Sequence, residues 1–382
     1  MSQVAQPRTV CVLGFHRSGT SLTARVLNLL GVHLGDDLLP AHETDNPQGY
    51  WEPRWMNDLN EELLATLGAT WWQPFPGEPG WEGSSALDAL RERAAAQYAA
   101  QLGEAPLRGW KDPRSTLTLP FWQAIAQDPD PVYAICVRNP IDAIASIQRR
   151  PEPTLPTHDW GELWLEYTAR ALEGTAGSRR LLLFYDSWFE DPAAQVGALA
   201  QLLGLAADDP RIAEACELVQ QDLRHHRSAP SDVAAAPGLS ALARTAFLAL
   251  RAGHELRRAS GDATDAVRLA EAIERVCVDA WQASRAAAAT SRAAEASRLH
   301  AEGLETVVRQ REEELETLRR QGDEQVAAER TRARALEEQL HSALAEIHRL
   351  KQHADTLEGS LSWRVTAPLR GLVRQVRRPR TQ

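Results

Sequence analysis

From Thr9 to about Arg224, short β-branched apolar runs alternate with stretches of helical period, the pattern of an α/β domain built on a largely parallel sheet. Strands are expected at Val10 to Phe15, Val132 to Val137 and Leu181 to Tyr185. Each is an apolar run bounded by polar or turn residues, as in strands covered on both faces. Helices are expected at Thr20 to Leu30, Ile141 to Gln148, Trp160 to Glu173 and Ala193 to Leu203. The segments Gly35 to Pro53, rich in Asp, Pro, His and Asn, and Gln73 to Ser85, rich in Pro and Gly, read as long loops, where function concentrates.

The pattern changes after Ser228 to Pro237, and no proline follows until Pro368. The intervening chain is rich in Ala, Arg and Glu. Residues 291–357 carry 14 acidic and 11 basic side chains, the mixed-sign surface of a long solvated helix. Leu336, Leu340, Ala343, Ile347, Leu350, Ala354 and Leu357 follow the alternating four-and-three spacing of a coiled-coil seam. Leu304, Val308, Arg311, Leu315 and Leu318 do so in a different phase, so the stretch Arg319 to Ala335 must shift or break the seam. A seam implies a partner helix, most simply a second copy of this chain. The tail from Arg364 holds six arginines and no acid, interleaved with apolar residues, and such a segment can rest on an anionic membrane face or an acidic partner. The expected organisation is an α/β domain over 8–225, a helical extension over 226–290, a coiled coil over 291–357 and a basic amphipathic tail over 358–382.

Composition narrows the function classes. The 382 residues suggest two or three units, and no run approaches the roughly 20 apolar residues of a membrane span. The polar N-terminus lacks the pattern of a signal peptide, which points to the cytoplasm. A net charge of −10 argues against a nucleic-acid coat. Cys11, Cys136, Cys216 and Cys277 lie far apart, a spacing that favours buried thiols over disulfides or a zinc site, and no metal is expected. Of the 42 basic residues only Lys111 and Lys351 are lysine, so a lysine here is a marked choice.

The strongest local signal is Gly14-Phe15-His16-Arg17-Ser18-Gly19-Thr20-Ser21, between an expected strand and an expected helix. In that setting backbone N–H groups and a helix N-terminus cradle phosphate. The spacing matches the GxxxxG of a nucleotide-binding P-loop, but Thr20 stands where an ATPase or kinase carries lysine, and the cation sits earlier, at Arg17. A second signal is Arg138 at a strand end, with Ser146 two turns into the helix begun by Pro140 and Arg150 one turn further on. These groups could grip one phosphate together.

These residues resemble the sulfotransferases that use 3′-phosphoadenosine 5′-phosphosulfate. The turn Arg17 to Ser21 is similar to that family's 5′-phosphosulfate loop in its arginine form, as in tyrosylprotein and several bacterial carbohydrate sulfotransferases. Arg138 and Ser146 are similar to its 3′-phosphate site. Lys111-Asp112-Pro113 resembles the lysine-bearing segment of the tyrosylprotein branch, and Tyr185-Asp186 the family's Tyr-Glu-Asp-Leu segment. The likeness covers roughly residues 8 to 205 and implies a P-loop-type three-layer fold around a central parallel sheet. It also implies metal-free sulfuryl transfer to a hydroxyl. Arg17, Ser18, Gly19, Thr20, Ser21, Arg138, Ser146, Arg150 and Tyr185 would bind the nucleotide, and Arg17 and Lys111 would absorb charge on the transferring group.

For the base, related enzymes place a glutamate or histidine after the first helix, where this chain has Asp36, Asp37, His42, Glu43 and Glu52. Glu52 is the first choice, because Gly49 to Pro53 sets a carboxylate among aromatic rings, the desolvated setting a general base needs. His42 is the second, since imidazole titrates near neutral pH. Asp112 could orient Lys111 or help the base, and Arg114 could contact nucleotide or acceptor. Loop tryptophans (Trp51, Trp55, Trp71, Trp72, Trp81) suggest a carbohydrate or glycolipid acceptor, because flat rings pack on sugar faces. Residues 361–370 are similar to a short C-terminal stretch of bacterial surface-polysaccharide glycosyltransferases, which points toward surface-glycan assembly at the inner membrane face. Two other readings stay open: a coiled-coil interaction protein with a relic nucleotide domain, and a P-loop kinase for a small molecule.

Overall fold

The computed structural model describes residues 8–43, 46–103, 105–149, 159–219, 228–260 and 263–318, with scattered positions between 335 and 349. Four strands, β1 (Arg8–Gly14), β2 (Leu107–Lys111), β3 (Val132–Val137) and β4 (Arg179–Phe184), form one all-parallel sheet in the order β2-β1-β3-β4. The register sets Cys11 beside Trp110 on one side and Tyr133 on the other. β1 and β3 are buried along nearly their whole length, which explains their unbroken apolar runs.

Alternate strand residues feed two helical layers. Val10, Val12, Val132, Ala134, Cys136 and Leu183 pack on α1 (Thr20–Leu29), α8 (Pro192–Leu203) and α9 (Pro210–Leu218). On the opposite face Tyr133 accepts from Gln123 of α4 (Ser115–Ala126). There too Trp164 of α6 (Trp160–Gly174) donates to the Arg138 carbonyl, and Phe184 meets Phe247 of α11 (Ala241–Ser260). The remaining helices are α2 (Arg54–Thr66), α3 (Asp88–Leu102), α5 (Pro140–Gln148), α7 (Ser187–Glu190), α10 (Pro230–Ala235) and α12 (Thr264–Leu318). Asn139 caps α5 by accepting from the Ile141 N–H, with Pro140 at the first helical position where a missing N–H costs nothing.

β3 matches the sequence expectation residue for residue, while β1 begins and ends earlier than Val10 to Phe15, and β4 starts at Arg179 and stops before Tyr185. β2 is a strand that apolar patterning did not mark, because Arg108, Gly109 and Lys111 interrupt the run. The burial of those charges is met locally: Arg108 donates to the Gly103 carbonyl and lies over the Tyr98 ring. α4 was equally hidden, carrying Pro120 in its interior. The stretch Gly35 to Pro53 is irregular as expected, held by isolated bridges at Leu38 with Pro53 and His42 with Asn46.

Contacts divide the chain into two compact units, residues 1–278 and 279–382. The residues of α12 are shared between them, and the helix passes position 291 without interruption. Most of the seam run from Leu336 to Leu357, Arg150 and the basic tail lie outside the described residues. Among the described residues no helix is long and apolar enough to cross a membrane.

His254 of α11 lies 4.7 Å from the Phe184 ring, with Nε2 3.3 Å from Ser187 Oγ. Burial, reinforced by Arg251, Arg258 and Arg257, pushes its pKa down to about 4 from the ordinary 6.5. Between those values the unfolded chain binds the proton and the folded one does not, so stability is lost as pH falls through that window. Urea unfolding free energies of the wild type should therefore drop from pH 6.5 to pH 4 more steeply than those of His254→Gln; parallel pH curves would contradict this.

Candidate functional site

Each strand delivers a chemically marked residue at its carboxyl end. β1 ends at Gly14 and opens the turn 15–19; β2 ends at Lys111; β3 is followed by Arg138 and β4 by Tyr185. Successive connections leave β1 in opposite directions, so the crevice beside its end is where an open α/β sheet binds ligands. Gly14 (φ 139°) lies so close to β3 that a Cβ would stand 2.4 Å from the Cys136 carbonyl oxygen. Gly19 (φ 90°) would drive a Cβ to 2.6 Å from Tyr185 Cδ2. Arg17 adopts φ 66°, a left-handed conformation unusual for a side-chain-bearing residue and common at sites where the backbone is held for function.

These strains bring three elements together. Arg17 Nε donates to Ser146 Oγ at 2.9 Å, and Arg138 donates to the Arg17 carbonyl at 2.9 Å. The Arg138 guanidinium lies 4.2 Å over the Tyr185 ring. Arg138 is 6% exposed, yet no carboxylate comes within ion-pair distance of it among the described residues. Burial pulls its pKa below the ordinary arginine value, and the neighbouring charge of Arg17 adds to that pull against Tyr185, Asp142 and Asp186. Arg138 Nε and Ser18 Oγ are buried and find no hydrogen-bond partner among the described residues. Buried donors are almost always satisfied, so two orphans beside two guanidiniums and a helix N-terminus describe a cradle fitted to an anion.

A second cluster adjoins the first through Ser21. Lys111, 2% exposed at its side chain, donates to Glu52 Oε1 at 2.5 Å, the Tyr50 carbonyl at 2.9 Å and Ser21 Oγ at 3.2 Å. Glu52 Oε2 accepts from Asn57 and lies 3.7 Å from Arg114. Arg114 also bonds Asp112 at 3.1 Å and pairs with Glu61. Burial lowers its pKa, but Asp112, Glu61 and Glu52 together outweigh this and raise it. Beneath them Asn60, fully buried, uses every donor and acceptor site it has been given: it donates to Asp112 and Ser115 and accepts from Thr118 and Trp122. Two buried carboxylates, Glu52 and Asp112, and two cations are thus held in fixed geometry, with the more exposed Glu61 at the edge, which is what makes their burial tolerable.

The structure gathers Arg17, Ser18, Gly19, Thr20, Ser21, Arg138, Ser146 and Tyr185 at one crevice, with Lys111 and Glu52 beside it. The setting of Glu52 is different from that expected: cations and an amide surround the carboxylate rather than rings, because the Trp51 side chain turns away to donate to the Gln48 carbonyl. His42 lies on an exposed turn whose partner strand residue, Asn46, reaches Ser21 Oγ at 3.2 Å. Asp112 orients Arg114 and Asn60. The tryptophans serve mainly as packing: Trp71 is buried 4.3 Å from the His16 ring, Trp55 meets Trp122 and Trp81 meets Phe75. Asn60 was not marked by the sequence, since a lone amide in an amphipathic helix looks like a surface residue. Cys11, Cys136 and Cys277 are buried, and burial raises all three thiol pKa values, the last two to about 12. Such thiols are unreactive. Cys216 is only half-buried, short of full enclosure. No family model matches the chain, and no curated protein matches it either.

The Lys111–Glu52 pair should be energetically coupled. In urea unfolding, a double-mutant cycle of Lys111→Met and Glu52→Gln is expected to return an interaction of about 1–3 kcal/mol; additive effects would show that the pair is not a unit. Gly19→Val should lower the unfolding midpoint, because it meets both a positive φ and the Tyr185 ring; an unchanged midpoint would mean the turn relaxes freely.

Proposed function

We propose that this chain is a sulfotransferase with a P-loop-type fold, using 3′-phosphoadenosine 5′-phosphosulfate to sulfate a hydroxyl, with a carbohydrate of surface-glycan assembly as acceptor. The observation that carries the reading is the buried Arg138 beside the Arg17 turn, which among the described residues has no carboxylate in ion-pair range and leaves unmet donors at Arg138 Nε and Ser18 Oγ. A site built this way calls for two anionic groups, and a nucleotide with separate 3′ and 5′ charges supplies them. Bound there, the co-substrate provides a sulfuryl group whose bond to the phosphate oxygen breaks as a bond to the acceptor oxygen forms.

Backbone N–H groups at 18–21 and the start of α1 hold the 5′ end, and Arg138 with Ser146 holds the 3′ phosphate. Arg17, tied to Ser146, and Lys111, tied to Ser21, stand where negative charge collects on the departing oxygen. Glu52 takes the acceptor proton, and Lys111 and Arg114 keep it in place for that step. Partly exposed Trp51, Trp55, Trp72 and Trp81 offer faces for a sugar. The helical C-terminal region pairs with a second copy of the chain. A P-loop kinase is the weaker reading, because Thr20 occupies the position of its phosphate-binding lysine.

Transfer of labelled sulfate from the co-substrate to a panel of glycans and glycolipids tests this. Arg17→Ala and Lys111→Arg should each lower turnover by about 10²–10³-fold while far-ultraviolet dichroism stays native, since neither a lost guanidinium nor a misshapen cation can replace the original. Undiminished turnover in both variants, or phosphate transfer from ATP instead, would overturn the proposal.

A further inference from the structure

Among the described residues the sheet stops at β4, which pairs with β3 alone, but the helical layers continue. Because the Tyr185 N–H donates to the Val137 carbonyl, the alternation of a parallel ladder turns the backbone N–H and C=O groups of Arg180, Leu182 and Phe184 to the open side. α8 runs along one flank of this edge, and α11 with the first turns of α12 along the other, leaving a cleft of about 550 Å³. It does not border the crevice described above.

The walls suit a backbone more than a bulky ligand. Ala194, Ala198 and Leu202 recur at helical spacing on the α8 side, and Leu250, Gly253 and Ala270 face them. Small side chains on both flanks leave room for an added strand. The rim is positive. Its two carboxylates are already matched, Asp191 with Arg258 at 3.7 Å and Glu274 with Arg180. Arg257, which also lines the cleft, has no hydrogen bond or ion pair among the described residues, whereas Arg179, 42% exposed, is held by Asp130 at 3.4 Å and the Leu202 carbonyl at 2.9 Å.

We infer that this slot receives an extended acidic segment of a partner protein, which adds to β4 as a fifth strand. The open edge supplies main-chain hydrogen bonds, the alanine faces accept alternate side chains, and Arg257 selects a carboxylate on the segment. A small anion would engage the arginines and leave the amide edge and apolar walls unused. A second copy pairing through its own β4 would set Arg179 and Arg180 against their like, which is repulsive. The inference is independent of the proposed sulfuryl transfer.

Fluorescence anisotropy with the full chain and a fluorescein-labelled Glu-Val-Glu-Val-Glu-Val-Glu peptide tests it. Saturable binding is expected, weakening as salt is added. It should fall about tenfold or more in Arg257→Glu and in Ala198→Trp, which fills the slot. A peptide with proline in place of the central valine should fail to bind, having lost strand pairing. Absence of saturable binding by the parent peptide, or equal binding of the proline peptide, would overturn the inference. So would undiminished binding by Arg257→Glu, whose partly exposed position keeps the test valid if Ala198→Trp does not fold.

Discussion

Four strands that run the same way must all end on the same edge, and this constraint organises the molecule. It is the parallel sheet, not proximity in sequence, that brings Gly14, Lys111, Arg138 and Tyr185 to one crevice. The burial of both sheet faces fixes strand register, and register fixes which residue comes last on each strand. The close contact of Gly14 with Cys136 and of Gly19 with Tyr185 then leaves the turn between them little freedom, so Arg17 is held in a left-handed conformation.

Charge at this edge is handled in two contrasting ways. Around Lys111 every ion meets an opposite partner: Glu52 lies between Lys111 and Arg114, and Asp112 is braced by Arg114 and Asn60. Around Arg138 Asp142 and Asp186 act only from a distance, no carboxylate among the described residues reaches ion-pair range, and the buried guanidinium rests on a ring and a carbonyl oxygen instead. A buried cation without a counter-ion is costly, and it is stabilised when an anion arrives. The first cluster is preorganised in the free protein; the second would be completed by an anion. Ser21, bonded to Lys111 and located at the start of α1, joins the two.

Much of this was legible in the sequence, for identifiable reasons. Central strands such as β3 are apolar throughout, and a glycine-rich turn after one strand together with an arginine at the end of another marks where strand ends meet, so the grouping of Arg17 to Ser21, Arg138 and Ser146 could be read from spacing. Lys111 stood out because arginine replaces lysine almost everywhere else. What stayed hidden depends on tertiary partners. β2 carries charges that only Gly103, Tyr98 and Glu52 make acceptable. Asn60 gains its importance from four partners spread over residues 112–122. The loop tryptophans looked like sugar platforms, yet Trp71 is buried and Trp55 packs against Trp122, since composition does not distinguish a ring that stacks on a ligand from one that fills space. The cleft beside β4 has no sequence signature at all, because it is made by the spacing of α8, α11 and α12 around one strand edge, which no local pattern records.

The central claim is that Arg138 and the Arg17 turn form a nucleotide anion site. Calorimetric titration with 3′-phosphoadenosine 5′-phosphate, with magnesium–ATP as comparison, tests it most directly. The account predicts stoichiometric binding of the former, much weaker binding of the latter, and loss of affinity in Arg138→Ala with the fold retained. No binding by folded wild-type protein, or an affinity unchanged in Arg138→Ala, would contradict it.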